Sequence, residues 1–212
     1  MSTLDGWTLV TPPSVPPPRT MEITANDTVA TSLSPFTAQQ QIYDWQAGWM
    51  EATISLPPMK RALAEPWIAF LMALHGQANV FQFGDPSATA PRGSAAGSPL
   101  VNGAGQTGYA LATSGGTGTL LAGDWIQIGY RLYRNLEDVA LGSATLNIWP
   151  QLRESPDANT AIILTNTQGL WRLRSNARKW TMDEARIYGI QIECREALGV
   201  VNSTAESSPA LS

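Results

Sequence analysis

The sequence predicts a mainly β protein: antiparallel β-sandwich or barrel sheets with one principal α-helix at about 59–75. Three observations predict it. Turn signals recur about every ten residues through the second half of the chain, the spacing of sandwich and barrel strands. Charged residues are 14% of the 212, well below the ~25% of ordinary soluble domains, while the hydrophobic 43% is unremarkable. Ser, Thr, Gln, Asn, Gly and Pro therefore replace charge, which suits many turns or surfaces that meet other subunits. Finally, a single segment carries helical periodicity.

The first 18 residues end in Thr11-Pro-Pro-Ser-Val-Pro-Pro-Pro18. Proline lacks the amide proton and fixes φ, so this is an extended arm. It reads as a disordered leader or as an arm across a neighbouring subunit, with Trp7, Leu9 and Val10 to bury. Residues 19–25 and 46–56 read as strands. In the second, Trp49, Glu51, Thr53 and Ser55 alternate with Met50, Ala52, Ile54 and Leu56, period 2 with one apolar face. Residues 34–45 between them read as a polar turn region anchored by aromatics.

Pro57-Pro58 stops that strand. Met59, Leu63, Trp67, Phe70, Leu71 and Leu74 then fall at helical spacing on one face. Pro66 predicts a kink or the start of a second helix, and Gly76 a C-cap. His75 reads as a helix-terminal residue near the last carbonyls. Residues 79–83 form a short strand. From Ser87 to Gly118 the chain is rich in Gly, Ala, Ser and Thr, with a weak strand expected at 107–113. Further strands are expected at 125–134, 135–140, 144–149, 161–164, 169–174 and 186–195, with a hairpin-turn signal at Gly123-Asp124. The domain reading is an arm at 1–18, a sheet-plus-helix module at 19–86 completed by strands from 186–198, a β-rich insertion or second domain at 87–185, and a mobile tail at 199–212.

Several function classes recede. One Cys (Cys194) and one His (His75) cannot make an internal disulfide or a Cys/His zinc site. The N-terminal sequence has no signal-peptide pattern, and the longest apolar run, Trp67 to Leu74, falls far short of the ~20 residues of a membrane span. Thirteen basic against 17 acidic residues give no electrostatic case for wrapping nucleic acid. The basic residues are almost all Arg, which favours bidentate contacts at interfaces.

The match Gly103-Ala-Gly105-Gln-Thr-Gly108 lacks the following helix that would hold a pyrophosphate, so it is compositional. The carboxylate doublets Asp183/Glu184, Glu193/Glu196 and Glu137/Asp138 do not make a facing pair across a cleft. No catalytic, cofactor or metal residue is nominated, no cofactor is expected, and the chain is read as not an enzyme. Trp45, Trp49, Trp67, Trp125 and Trp149 each have apolar neighbours and read as core or interface. Arg172, Arg174 and Arg178, with Lys179 beside Trp171 and Trp180, read as half of an ion-paired subunit contact, the alternative being single-stranded nucleic acid. The core or assembly candidates are thus Trp49, Leu63, Trp67, Phe70, Leu71 and Leu74. The interface candidates are Trp7, Trp45, Trp125, Arg172, Arg174 and Arg178.

Two stretches are familiar. The first comprises Phe36-Thr-Ala-Gln-Gln, Trp45, Gly48-Trp49, Ala52-Thr-Ile-Ser-Leu-Pro-Pro-Met59, Trp67-Ile-Ala-Phe-Leu71, Leu74-His-Gly76 and Phe81-Gln-Phe83-Gly-Asp-Pro86. It resembles the N-terminal portion of tail proteins of tailed bacteriophages, most of all the distal tail proteins that close the tube and start the tip. The second comprises Leu121-Ala-Gly-Asp-Trp-Ile-Gln-Ile-Gly129, Leu132-Tyr and Ile148-Trp-Pro150-Gln-Leu-Arg153, and is similar to segments of tail and baseplate components. The resemblance implies a belt module that builds a homo-oligomeric ring, usually of six subunits, and carries a second β-rich domain. It implies a virion location after synthesis in the host cytoplasm, tail-tube and tail-tip proteins as partners, DNA only as cargo through a lumen, and no catalytic residues. The reading from another class is a carbohydrate-binding β-sandwich module for host recognition, which would need a cleft lined by exposed Trp or Tyr.

Overall fold

The structure is a computed structural model that describes residues 2–4 and 7–199. Most of the expected tail, 200–212, lies outside the described residues. In chain order the strands are β1 (Ser2–Leu4), β2 (Trp7–Leu9), β3 (Thr20–Asn26), β4 (Val29–Leu33), β5 (Gln40–Asp44), β6 (Trp49–Ser55) and β7 (Met59–Lys60). Helix α1 (Arg61–Ala73) and β8 (Phe81–Phe83) follow. Then come β9 (Leu100–Val101), β10 (Ala110–Leu120), β11 (Trp125–Ile128), β12 (Arg131–Asn135), β13 (Val139–Trp149) and β14 (Ile162–Ile163). The chain returns through β15 (Gly169–Leu173), β16 (Trp180–Met182) and β17 (Ile187–Glu196). Over the described residues the protein is mainly β, with antiparallel sheets and one helix, as the sequence predicts.

The first large sheet runs β3-β6-β17-β15-β8, with β7 and β16 also pairing β17. Its ten-residue strand β17 alternates buried Tyr188, Ile190, Ile192 and Cys194 with half-buried or exposed residues, the period-2 pattern of a half-buried strand. The chain joins this sheet again at Gly169, well before the expected 186, because β15 and β16 both pair with β17. Helix α1 buries Ala64, Trp67, Phe70 and Leu71, and Leu74 follows at its end. Trp67 meets Phe70 edge-on at 5.9 Å, and Phe70 meets Phe81 at 5.4 Å. Pro66 lies inside this one helix, so no second helix starts there. Leu63, expected on the packed face, is 43% exposed. Side chains of a first turn lean back past the helix start.

The second sheet, β14-β11-β12-β13-β10-β9, is nearly closed into a barrel. The bridge Leu100 to Ala161, with Val101 N–H donating to Thr160 O (2.9 Å) and Ile162 N–H to Pro99 O (2.8 Å), joins the first and last strands. The barrel interior holds Leu111, Leu120, Ile126, Tyr133, Leu146, Ile148 and Ile162 among others. The weak strand expected at 107–113 is the long β10, whose register against β13 shifts in the glycine-rich stretch between Gly115 and Thr119. Gly118 has φ +78, and a Cβ there would lie 2.1 Å from Ser94 O, so only glycine lets the crossing loop pair with β10. The strand expected at 125–134 is a hairpin that turns at Gly129-Tyr130. Gly123-Asp124 instead turns between β10 and β11, which are not neighbours. Asp124 holds that turn by accepting from the Leu121 and Arg92 amides at 2.9 and 3.0 Å.

The two sheets are joined by polar clasps. Arg153 donates twice to Glu196 (3.0 and 2.6 Å), a largely buried bidentate pair. Arg131 donates to Ala197 O, and the Gln168 amide donates to Gln127 Oε1 (2.7 Å). Trp125 and Leu132 face out of the barrel and complete the core under α1.

Candidate functional site

The most unusual surface is an arm that the sequence hides in its polar turn region. β3 and β6 pair from Thr20 opposite Ser55 to Asn26 opposite Trp49. After a break, the same two chain segments pair again as β4 and β5, from Val29 opposite Asp44 to Leu33 opposite Gln40. The result is one long ribbon whose outer part forms its own two-stranded sheet. Residues 34–45 are thus the tip and return limb of a hairpin. The tip is closed by Ser34, whose amide donates to Gln39 O (2.9 Å) and whose carbonyl accepts from Ala38 N–H (3.0 Å).

The break has a cause. Two residues, Asp27 and Thr28, face the four from Trp45 to Gly48, a bulge that bends a ribbon. Thr28 Oγ1 donates to Ala47 O (2.9 Å), and Gln46 N–H donates to Asp44 Oδ1 (2.7 Å). From the barrel, Trp149 Nε1–H donates to Asp27 Oδ1 (2.9 Å). A Cβ on Gly48 would sit 2.8 Å from Asp27 Oδ1 and 3.2 Å from the Trp149 ring, so glycine is needed for that approach. The arm is therefore fixed at its base and bare beyond it.

Among Ser, Thr and Gln it presents large apolar side chains. Phe36 is 95% exposed, Ile42 63%, Leu33 60% and Trp45 59%. By the register, Val29, Leu33 and Ile42 share one face. From Thr28 to Tyr43 there is no charged side chain. A two-stranded ribbon is marginal alone in water, and an exposed edge with apolar side chains is a template for pairing with another chain.

The sequence candidates divide. Trp67, Phe70, Leu71 and Leu74 are core, and Trp49 is half-buried at the arm's root. Trp45 is on the arm. Trp7 and Trp125, expected at a subunit interface, are buried within this chain: Trp7 with Val80, Leu170 and Ala197, and Trp125 between barrel and sheet. The Pro-rich segment lies along its own module. Val10 N–H donates to Val80 O (2.8 Å), and Val15 O accepts from the Trp67 indole (3.2 Å).

Arg172 and Arg174, two residues apart along one strand, share a face of the open sheet, and Arg178 lies apart from them. Arg172 lies 5.0 Å over the Trp7 ring, opposite Arg195 across the ladder; burial, with the Arg195 charge, lowers its pKa. Arg174 is 3.6 Å from Glu51, and Arg178 donates to Met72 O at the end of α1. The carboxylate doublets are also separated. Glu196 pairs Arg153, Asp138 accepts from Ala122 N–H (2.7 Å), and Asp183 accepts from Ile187 N–H (2.8 Å). Residues 103–108 form a loop into β10, closed by Gln106 accepting from Ala112 N–H (2.6 Å). His75 is exposed at the end of α1, with φ +49. Burial pushes the Cys194 thiol up. Among the described residues no group of three or more His, Cys, Asp or Glu could hold a metal ion, and no helix is long and apolar enough to cross a membrane.

No protein-family model matches the chain, and no curated protein matches it.

Proposed function

We propose that this chain is a structural subunit of a bacteriophage tail, a distal tail protein whose copies form a ring joining the tube to the tip or baseplate. The observation that carries the assembly part is the bare arm, without charge from Thr28 to Tyr43, with Phe36 at its tip. The phage part rests on the sequence resemblance. Full burial of a large apolar side chain contributes ~1.5–3 kcal/mol, and association costs ~4–15 kcal/mol. A single arm contact is therefore marginal. In a ring each copy gives one arm and receives one, so every subunit is held twice. A net charge of −4 suits a bore that does not trap phosphates.

Imaging of the purified chain at rising concentration tests this. Annular particles of one diameter are expected. A chain that stays monomeric at every concentration and binds immobilised glycans would instead favour the carbohydrate-binding alternative.

A further inference from the structure

We infer that the arm of one copy seats its Phe36 tip in the uncharged groove at the opposite edge of the first sheet of a second copy. This rests on the assembly reading above and adds to it the partner surface.

The groove holds about 290 Å3 and is lined by Val10, Pro12, Pro13, Gln82, Phe83 and Gln168, with Leu9, Thr11 and Ser14 at its margin. None of these is charged. Charge separates this groove from its rivals. The hollow under Leu71 carries Arg178, Lys179 and Glu193. Those beside Tyr130 and Trp125 carry Arg131, Glu154 and Asp157, and Asp85, Arg92, Asp124 and Arg134. The one beside Trp49 carries Arg172, Arg195 and Glu196. An arm with no charge from Thr28 to Tyr43 would desolvate those groups and bring them no new partner, which is costly. In the Pro-lined groove it strands none.

Position agrees with polarity. Thr24, Glu51, Arg195 and Arg172 stand in one row across the sheet. With Trp171 opposite Phe81, Gln82 and Phe83 fall level with Asn26 and Asp27. Arm root and groove therefore lie at the same end of the sheet on opposite edges, four strand spacings or about 19 Å apart. The five strand residues Val29–Leu33 reach about 17 Å beyond the root, and the turn that carries Phe36 lies beyond them. A projection on one edge and its receptor on the other make a head-to-tail contact, which closes into a ring or runs on as a filament.

The test uses thiols beside both surfaces with Phe36 retained. Cys194 is the chain's lone cysteine and is buried. Ser14 and Thr37 are exposed. Ser14→Cys and Thr37→Cys proteins are treated with a short bismaleimide, separately, mixed, and as the double variant. The expected result is monomer from each alone, dimer from the mixture, and a ladder of multimers from the double variant. Adding Phe36→Ser should lower the cross-linked yield about tenfold or more. Assembly seen by sedimentation without cross-linking overturns the groove assignment and leaves the subunit reading standing. Cross-linking confined to single chains of the double variant returns the arm to its own groove and also overturns it. A protein monomeric at every concentration, with no cross-link, overturns both.

Discussion

The two sheets solve the same problem in opposite ways. The barrel, residues 100–163, joins its first strand to its last, so its backbone groups pair internally. The other sheet stays open, with β3 and β8 at its edges, and prolongs its β3–β6 pair into a bare arm. A closed sheet has no edge to offer a partner. In the proposed assembly the open sheet, rather than the nearly closed barrel, supplies the surfaces that a second copy covers.

The largest expected effect falls on the open sheet's own core. Trp67→Ala removes the ring against which Phe70 packs. It should cost about 3–5 kcal/mol and abolish assembly. Denaturant unfolding followed by signals from both sheets should show the open sheet lost first, with the barrel retained. Simultaneous loss at one midpoint would mean that the two sheets form a single cooperative unit. A soluble Trp67→Ala protein that still forms rings would refute the helix placement.

A smaller effect tests the clasp between the sheets. Arg153→Ala leaves the buried Glu196 carboxylate uncompensated, at about 3 kcal/mol. Equilibrium unfolding should then split into two transitions. The smallest effect is confined to the barrel. Burial pushes the Tyr133 pKa up, against the Arg153 amide hydrogen bond and the Arg153 and Arg131 charges. Its contribution is complete below the ordinary tyrosine value of about 10 and is lost as pH rises through the higher folded value. Thermal stability should fall above that pH in the parent and less steeply in Tyr133→Phe. Equal slopes would show that the buried phenol plays no part.

Much of this contrast was legible in the residues. Period-2 alternation marks β17 and β6, and the Met59-to-Leu74 spacing marks α1, because each buries one face. The arm was not legible as an arm. Its two limbs, Val29-Ala-Thr-Ser-Leu33 and Gln40-Gln-Ile-Tyr-Asp44, bury neither face, so no alternation betrays them. The available signal was β-branched and aromatic residues on both sides of Ser34-Pro35, with charge absent. β11 misled for the opposite reason: it is buried on both faces, so its run continued without a break into β12. Trp7 and Trp125, read as subunit-interface candidates, make their contacts inside the chain, where distant segments meet across the fold.

In the proposed ring the arm is what joins copies of this chain. Sedimentation velocity on the full chain, and on a form with residues 30–43 replaced by an Asn-Gly turn, tests it most directly. Larger species, rising with concentration, are expected for the full chain, and a folded monomer for the shortened one. Identical sedimentation of the two, whether both assembled or both monomeric, would contradict it.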